Sequence, residues 1–180
     1  MFNSSAGPLR IRLWDRRVAF LGIVLSTCAA SAQAVSSCPP AVTLEQLPKA
    51  IDDAVSGPGN KDRSCMRNLL LPEARLIPVS VSPDGQVKTA VLTVDDYISR
   101  SAKRGDKVFY ERQVKYSSEV YGNIAHLWST YEVRETPDGK AIMRGINSIE
   151  AVNDGTRWRV LEISWQAESE QNPLPLQFLP

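Results

Sequence analysis

The sequence predicts an α+β fold: a cone-shaped roll with three N-terminal helices packed on a strongly curved, mainly antiparallel sheet. Three observations predict it. Apolar residues recur at helical spacing in three stretches before residue 103, and from Val108 onward the period is two. The later stretches are joined by Thr136-Pro137-Asp138-Gly139 and Asn153-Asp154-Gly155, turns of the kind that fold strands back as hairpins. Early helices and late strands layer as helices on one face of a sheet.

The first segment stands apart from that domain. MFNSSAGPLRIRLWDRR carries four arginines against one aspartate, and VAFLGIVLSTCAASA is an apolar run of fifteen residues. Ala32-Gln33-Ala34 follows as a small-x-small cleavage pattern, so residues 1–34 read as a secretory signal peptide. The run is short of the roughly 20 apolar residues that a membrane span needs. Leu25-Ser26-Thr27-Cys28 offers a second reading, a lipoprotein anchored at Cys28. Cleavage after Ala34 leaves 146 of the 180 residues, one domain's worth, periplasmic or secreted, with no span after processing. Removing four basic and one acidic residue leaves 17 and 19, a mature charge of −2. That balance lacks the basic stripe of a nucleic-acid binder.

Cys38 and Cys65 remain after cleavage, an even pair in an oxidising compartment. They read as a disulfide closing a loop of 28 residues, with two free thiols as the alternative. There is no CxxC motif and no Cys/His cluster, so neither a metal nor a cofactor is expected.

Element by element, residues 35–42 form a lead-in. Thr43 caps the first helix, with Gln46 reaching back and Leu47, Ile51 and Val55 on one face. Pro48 fits only an early helical position, and Gly57-Pro58-Gly59 stops the helix. A second helix is expected over Lys61–Leu71, closed by Pro72. From Arg75 the pattern alternates, with Ile77, Val79 and Val81 opposite Leu76, Pro78 and Ser80. Pro78 suggests an edge strand. Ser82-Pro83-Asp84-Gly85 turns that strand back. Thr93 caps a third helix to about Ala102, with Val94, Tyr97 and Ile98 facing in. Strands follow over 108–116, 124–134, 141–152 and 158–166, then a proline-rich extended tail over 169–180.

A curved sheet closed by helices leaves a cavity at its mouth, a usual place for a small-molecule pocket. Candidate site residues fall on the strands. His126, the one histidine, shares a face with Ile124, Trp128 and Thr130. It reads as a general acid/base or as a half-buried histidine with one structural hydrogen bond. Glu111 shares a face with Phe109. It is a base if it faces the cavity, or a cross-strand partner of a cation such as Arg144 if it faces out. Arg144 alternatively binds an anionic group. Asn147 and Ser148 interrupt an apolar pattern, as a pocket wall or a core network. Trp128, Tyr131 and Trp165 are candidate ligand contacts. Trp158 and Trp165 lie seven apart, which puts them on opposite faces of a regular strand.

At this point the chain resembles the nuclear transport factor 2-like superfamily, in its bacterial polyketide-cyclase-like, ketosteroid-isomerase-like branch. The resemblance runs through SGPGNKDRSCMRNLLLPEARLIPV (56–79), TVDDYISR (93–100) and FYER (109–112). It continues in YGNIAHLWSTYEVR (121–134), RGINSIEAVNDGTRWRVLEISWQAE (144–168) and NPLPLQFLP (172–180). It implies the cone fold over 43–168. The branch often has an aromatic shortly after the acid of the second helix, where this chain has Arg63, Ser64 and Cys65. Fold does not give function: the superfamily holds isomerases, dehydratases, cyclases and epoxide hydrolases beside members that only bind or assemble. Three expectations follow. The first is an exported domain binding a small, largely apolar molecule as a homodimer. The second is a cofactor-independent lyase or isomerase using His126 and Glu111. The third is a non-catalytic assembly domain.

Overall fold

The computed structural model describes residues 38–180. The expected signal segment and Cys28 lie outside the described residues.

Seven strands form one curved sheet in the order β1-β4-β5-β6-β7-β2-β3. They are β1 (Gly57–Pro58), β2 (Leu70–Val81), β3 (Val87–Thr89), β4 (Val108–Tyr121), β5 (Ile124–Arg134), β6 (Ala141–Asn153) and β7 (Trp158–Ala167). Three helices accompany them: α1 (Leu47–Val55), α2 (Ser64–Leu69) and α3 (Val94–Ala102). All strand pairs are antiparallel except β2 with β7.

The expected starts of α1 and α3 are present. A 3-10 turn, Leu44–Gln46, precedes α1, and Gln46 Oε1 accepts from the backbone N–H of Thr43 at 3.2 Å. Pro48 occupies the first turn of α1, where its missing donor is not needed. Thr93 Oγ1 accepts from the N–H of Asp96 at 3.1 Å, capping α3.

The second helix differs from expectation. It spans Ser64–Leu69, and at Leu70 the chain already enters β2. Leu70 is instead paired with Val160 across the parallel ladder. Pro72 therefore lies inside the irregular stretch of β2 between Leu70 and Arg75, where the register shifts. Nor is β2 the sheet edge. Pro78 sits between the Leu76–Leu92 bridge and the Val79–Thr89 pair, at a gap where no donor is needed.

The core lies between the helices and one face of the sheet. Leu47, Ile51, Met66, Leu70, Leu76, Leu127, Ile149 and Val160 are almost wholly buried there. Residues 125, 127, 129, 131 and 133 of β5 point to this inner face, and the even-numbered ones point away. Three further register shifts occur, one of them in β6 opposite Val133–Arg134; the other two bear on the site. One lies between Gln113 and Lys115 in β4, the other opposite Glu150–Ala151 in β7. The second overturns the expectation for the tryptophans. Trp158 pairs with Asn153 and Trp165 with Asn147, so the extra residue between them brings both rings to the inner face.

The proline-rich tail crosses the outer face. Thr130 Oγ1 donates to the Phe178 carbonyl at 2.6 Å, Lys115 Nζ to that of Leu179 at 2.6 Å, and the Phe178 ring lies 6.0 Å from Trp128. Among the described residues no helix is long and apolar enough to cross a membrane.

Cys38 and Cys65 are joined, tying the chain before α1 to α2. The N–H of Trp158 donates to the Ala41 carbonyl at 2.7 Å, so the same segment is also held to β7. Closing a loop over a separation of 27 residues is worth about 3.5 kcal/mol by chain entropy. Replacing both cysteines with serine is therefore expected to lower unfolding stability by about 2–4 kcal/mol in urea titrations. Dithiothreitol should reproduce the effect in the parent protein alone.

Candidate functional site

The inner face ends in a cavity of about 170 Å³ between the open end of the sheet and the helices. Ile51 and Val55 of α1, Leu76, Phe109, Val133, Ile163 and Trp165 give it apolar walls. The Trp165 ring is fixed by Tyr97 of α3, edge-on at a centroid distance of 6.1 Å. Five side chains with polar ends line it: Glu111, Asn147, Tyr97, Tyr131 and Arg104.

Tyr131 reaches the cavity because of Gly145, its direct neighbour on β6. A Cβ on Gly145 would stand 2.5 Å from the Tyr131 hydroxyl and 2.3 Å from the Gln166 carbonyl. No other residue leaves room for the phenol to cross the strand. Burial and the nearby Glu111 push the Tyr131 hydroxyl well above its ordinary pKa.

Glu111 is held by neutral donors. Asn147 Nδ2 donates to its Oε1 at 3.0 Å and Gln113 Nε2 at 2.9 Å. Gln113 also donates to Asp52 of α1, from its backbone N–H at 3.0 Å and its side chain at 3.2 Å. Its own carbonyl oxygen accepts from Ser129 Oγ and from Asn147 Nδ2. Burial pushes both carboxyls up to about 7, Glu111 from 4.5 and Asp52 from 3.8, and the donated hydrogen bonds offset only part of that. Asp52 adds to the rise at Glu111. Glu111 and Gln113 also wall a second, wider groove of about 830 Å³, which runs past Asp52 and Arg157 to Cys38 and Trp158. Glu111 thus stands between two compartments.

Of the residues expected to form a site, Glu111, Tyr131, Asn147 and Trp165 come together here. His126, Trp128 and Arg144 belong to the other face. His126 is paired with Glu119 and Glu150, its Nε2 is 3.1 Å from Ser148 Oγ, and its ring lies 6.3 Å from that of Trp128. The structure therefore separates His126 from Glu111 by the thickness of the sheet, because even and odd positions of β5 face opposite ways. Arg144 is not the partner of Glu111. It makes a two-point ion pair with Glu168, at 2.9 and 3.2 Å. Ser148 joins His126 on the outer face, whereas Asn147 belongs to the inner network.

Asp52, Gln113 and Arg104 were not anticipated. Asp52 follows Pro48 by four and precedes Val55 by three, and both are buried, so its helical position carried a signal. Arg104 carried none, since a cation just past a helix end reads as an ordinary complement to the dipole. Among the described residues no group of three His, Cys, Asp or Glu could hold a metal ion.

No family model matches the sequence, and no curated protein matches it. Solved structures do. A protein with a cystatin-like fold from Nostoc punctiforme is 10% identical, covers 73% of this chain and 91% of its own, and has a TM-score of 0.51. A protein from Xanthomonas campestris, described as a calcium/calmodulin-dependent protein kinase II association domain, is 15% identical over 70% and 86%, with a TM-score of 0.51. An NTF-2-like protein of unknown function from Silicibacter pomeroyi is 18% identical over 69% and 92%, with a TM-score of 0.49. At such identities the likeness concerns the fold.

The two raised carboxyls set a pH dependence. A carboxyl whose folded pKa lies above its unfolded value favours folding fully below the unfolded value, near 4 here. That advantage is lost as the pH rises to about 7 and stays lost above it. Urea unfolding at pH 5 and pH 8 is expected to show parent stability falling between the two. Glu111→Gln, which keeps the shape without the charge, should show a smaller fall. An equal fall in both would mean that Glu111 ionises as freely folded as unfolded.

Proposed function

On its nuclear transport factor 2-like, cystatin-like fold, we propose that this protein binds a small, largely apolar molecule in the inner cavity. The observation that carries this reading is the cavity itself: apolar walls and a few polar groups among them. Its volume bounds the ligand. An apolar cavity of about 150 Å³ accepts a benzene ring, so about 170 Å³ suits a single ring or a short branched chain. A multi-ring molecule does not fit without movement of the walls. Two features support export as the setting. The Cys38–Cys65 bridge suits an oxidising compartment, and residues 1–34 have the grammar of a secretory signal. A second copy of the chain is proposed on the outer face, where Ile124 and Trp128 keep exposed apolar area beside the tail.

A second reading has one specific support. Glu111 sits in an apolar cavity with its pKa near 7, where a carboxylate is a competent base for moving a proton on a bound molecule. Asn147 and Tyr131 would orient the substrate. In this reading His126, on the far face, takes no part in the chemistry.

Native mass spectrometry of the protein purified from the cell envelope tests the binding reading. A small adduct is expected on the parent protein. Trp165→Ala, which removes a wall, should reduce its retention about 10-fold or more, since losing one buried aromatic wall costs a ligand on the order of 1.5 kcal/mol. Turnover of the recovered molecule that Glu111→Gln abolishes, with an apparent pKa near 7 in the parent, would move the assignment to the enzyme reading. An adduct retained equally by Trp165→Ala would place the ligand elsewhere.

A further inference from the structure

Arg104 is the cavity's unexplained group. It stands in the turn after α3, with its N–H donating to the Ser101 carbonyl at 3.0 Å. Its Cβ packs so closely on Gly59 that a Cβ there would approach it to 2.7 Å. The side chain then runs to the cavity wall, its guanidinium carbon 4.9 Å from the centre of the Phe109 ring. Position and direction are thus fixed by packing.

What the guanidinium lacks is an acceptor. Nε and Nη2 are both buried, and neither has a hydrogen-bond partner among the described residues. Arg63, Arg134 and Arg159 also bury an unpartnered Nε, but each uses its other nitrogens. Arg63 donates to the carbonyls of Ala54, Val55 and Pro58, Arg134 to Glu132, and Arg159 to the Leu70 carbonyl. Arg104 makes no side-chain hydrogen bond and no ion pair among the described residues. The Phe109 face supplies one favourable contact for the cation, but a ring accepts no strong hydrogen bond. Glu111 lines the same cavity, where its Oε1 accepts from both Asn147 and Gln113, and it forms no ion pair with Arg104. A buried donor pair without an acceptor, on a side chain that lines a cavity, is a fork for two oxygens.

We propose that the ligand is a small carboxylate, its two oxygens bound by Arg104, its apolar body against Phe109 and Trp165, and its far end toward Glu111 and Asn147. This rests on the pocket reading above and names the ligand's chemical class. The geometry selects Arg104 rather than Arg144, because Arg144 already has Glu168. It also selects a single anionic group, because Glu111 already brings a carboxyl to the same cavity.

The test uses two probes of nearly equal size, benzoate and benzyl alcohol, titrated calorimetrically into the purified full chain. Two charge-assisted hydrogen bonds should make benzoate bind at least about 10-fold tighter than benzyl alcohol. In Arg104→Met that preference should vanish while benzyl alcohol affinity changes less than about 2-fold. In Arg104→Lys, which keeps the charge but not the fork, it should be intermediate. Equal binding of both probes to the parent would overturn the carboxylate assignment and leave the pocket reading standing. So would a benzoate preference that survives in Arg104→Met. Binding of neither probe would overturn the pocket reading and this inference with it. If Arg104→Met does not fold, the parent and Arg104→Lys titrations decide between the same outcomes.

Discussion

Burying a carboxyl between packed elements is tolerable only when it is hydrogen-bonded, and Glu111, whose Oε1 accepts from two side chains, imposes that condition on the site. The side chains that meet it come from separate parts of the chain. Gln113 is on the same strand, Asn147 lies two strands away on β6, and Ser129 on β5 holds Gln113 from behind. Asp52 of α1 accepts the backbone N–H of Gln113, which locks the helix onto β4. Breaking any link leaves a buried polar atom open, so the network fixes helix position, sheet register and cavity floor together.

The sheet then sorts residues by face. Alternation sends Tyr131, Asn147 and Trp165 inward and His126, Trp128 and Arg144 outward, and register shifts decide where the alternation changes phase. The outer face is a different chemical surface. It carries the His126–Ser148 contact, the Arg144–Glu168 pair and the tail laid over Trp128 and Thr130. The histidine that looks most like a catalyst in the sequence is there a sheet residue with a serine partner.

The cavity is small and electrically uneven. It is lined by Glu111, whose Oε1 accepts two hydrogen bonds and whose pKa is near neutral, and by Arg104, whose Nε and Nη2 are buried without a partner. Separated charges across an apolar space favour a molecule that is polar at its ends and apolar between them. The same asymmetry serves a binding protein and a proton-transfer enzyme, which is why the fold alone decides neither.

By itself the sequence determined the class of fold, the caps of α1 and α3 and the turns between the late strands, and it favoured the pairing of Cys38 with Cys65 over two free thiols. Each of these is local or follows from composition: a capping side chain, a Gly at a turn, a period of two, an even cysteine count. Glu111 was legible as a candidate because it follows two aromatics and shares a face with Phe109. Tertiary structure alone decided which face it looks to, that α2 ends early at Leu70, and that Trp158 and Trp165 share a side. Those depend on register and on single inserted residues, and one residue of slip reverses every side chain of a strand. Arg104 is the extreme case. Nothing in its neighbours along the chain marks it, and only packing against Gly59 and Phe109 brings it, with two unpartnered donors, to the cavity wall.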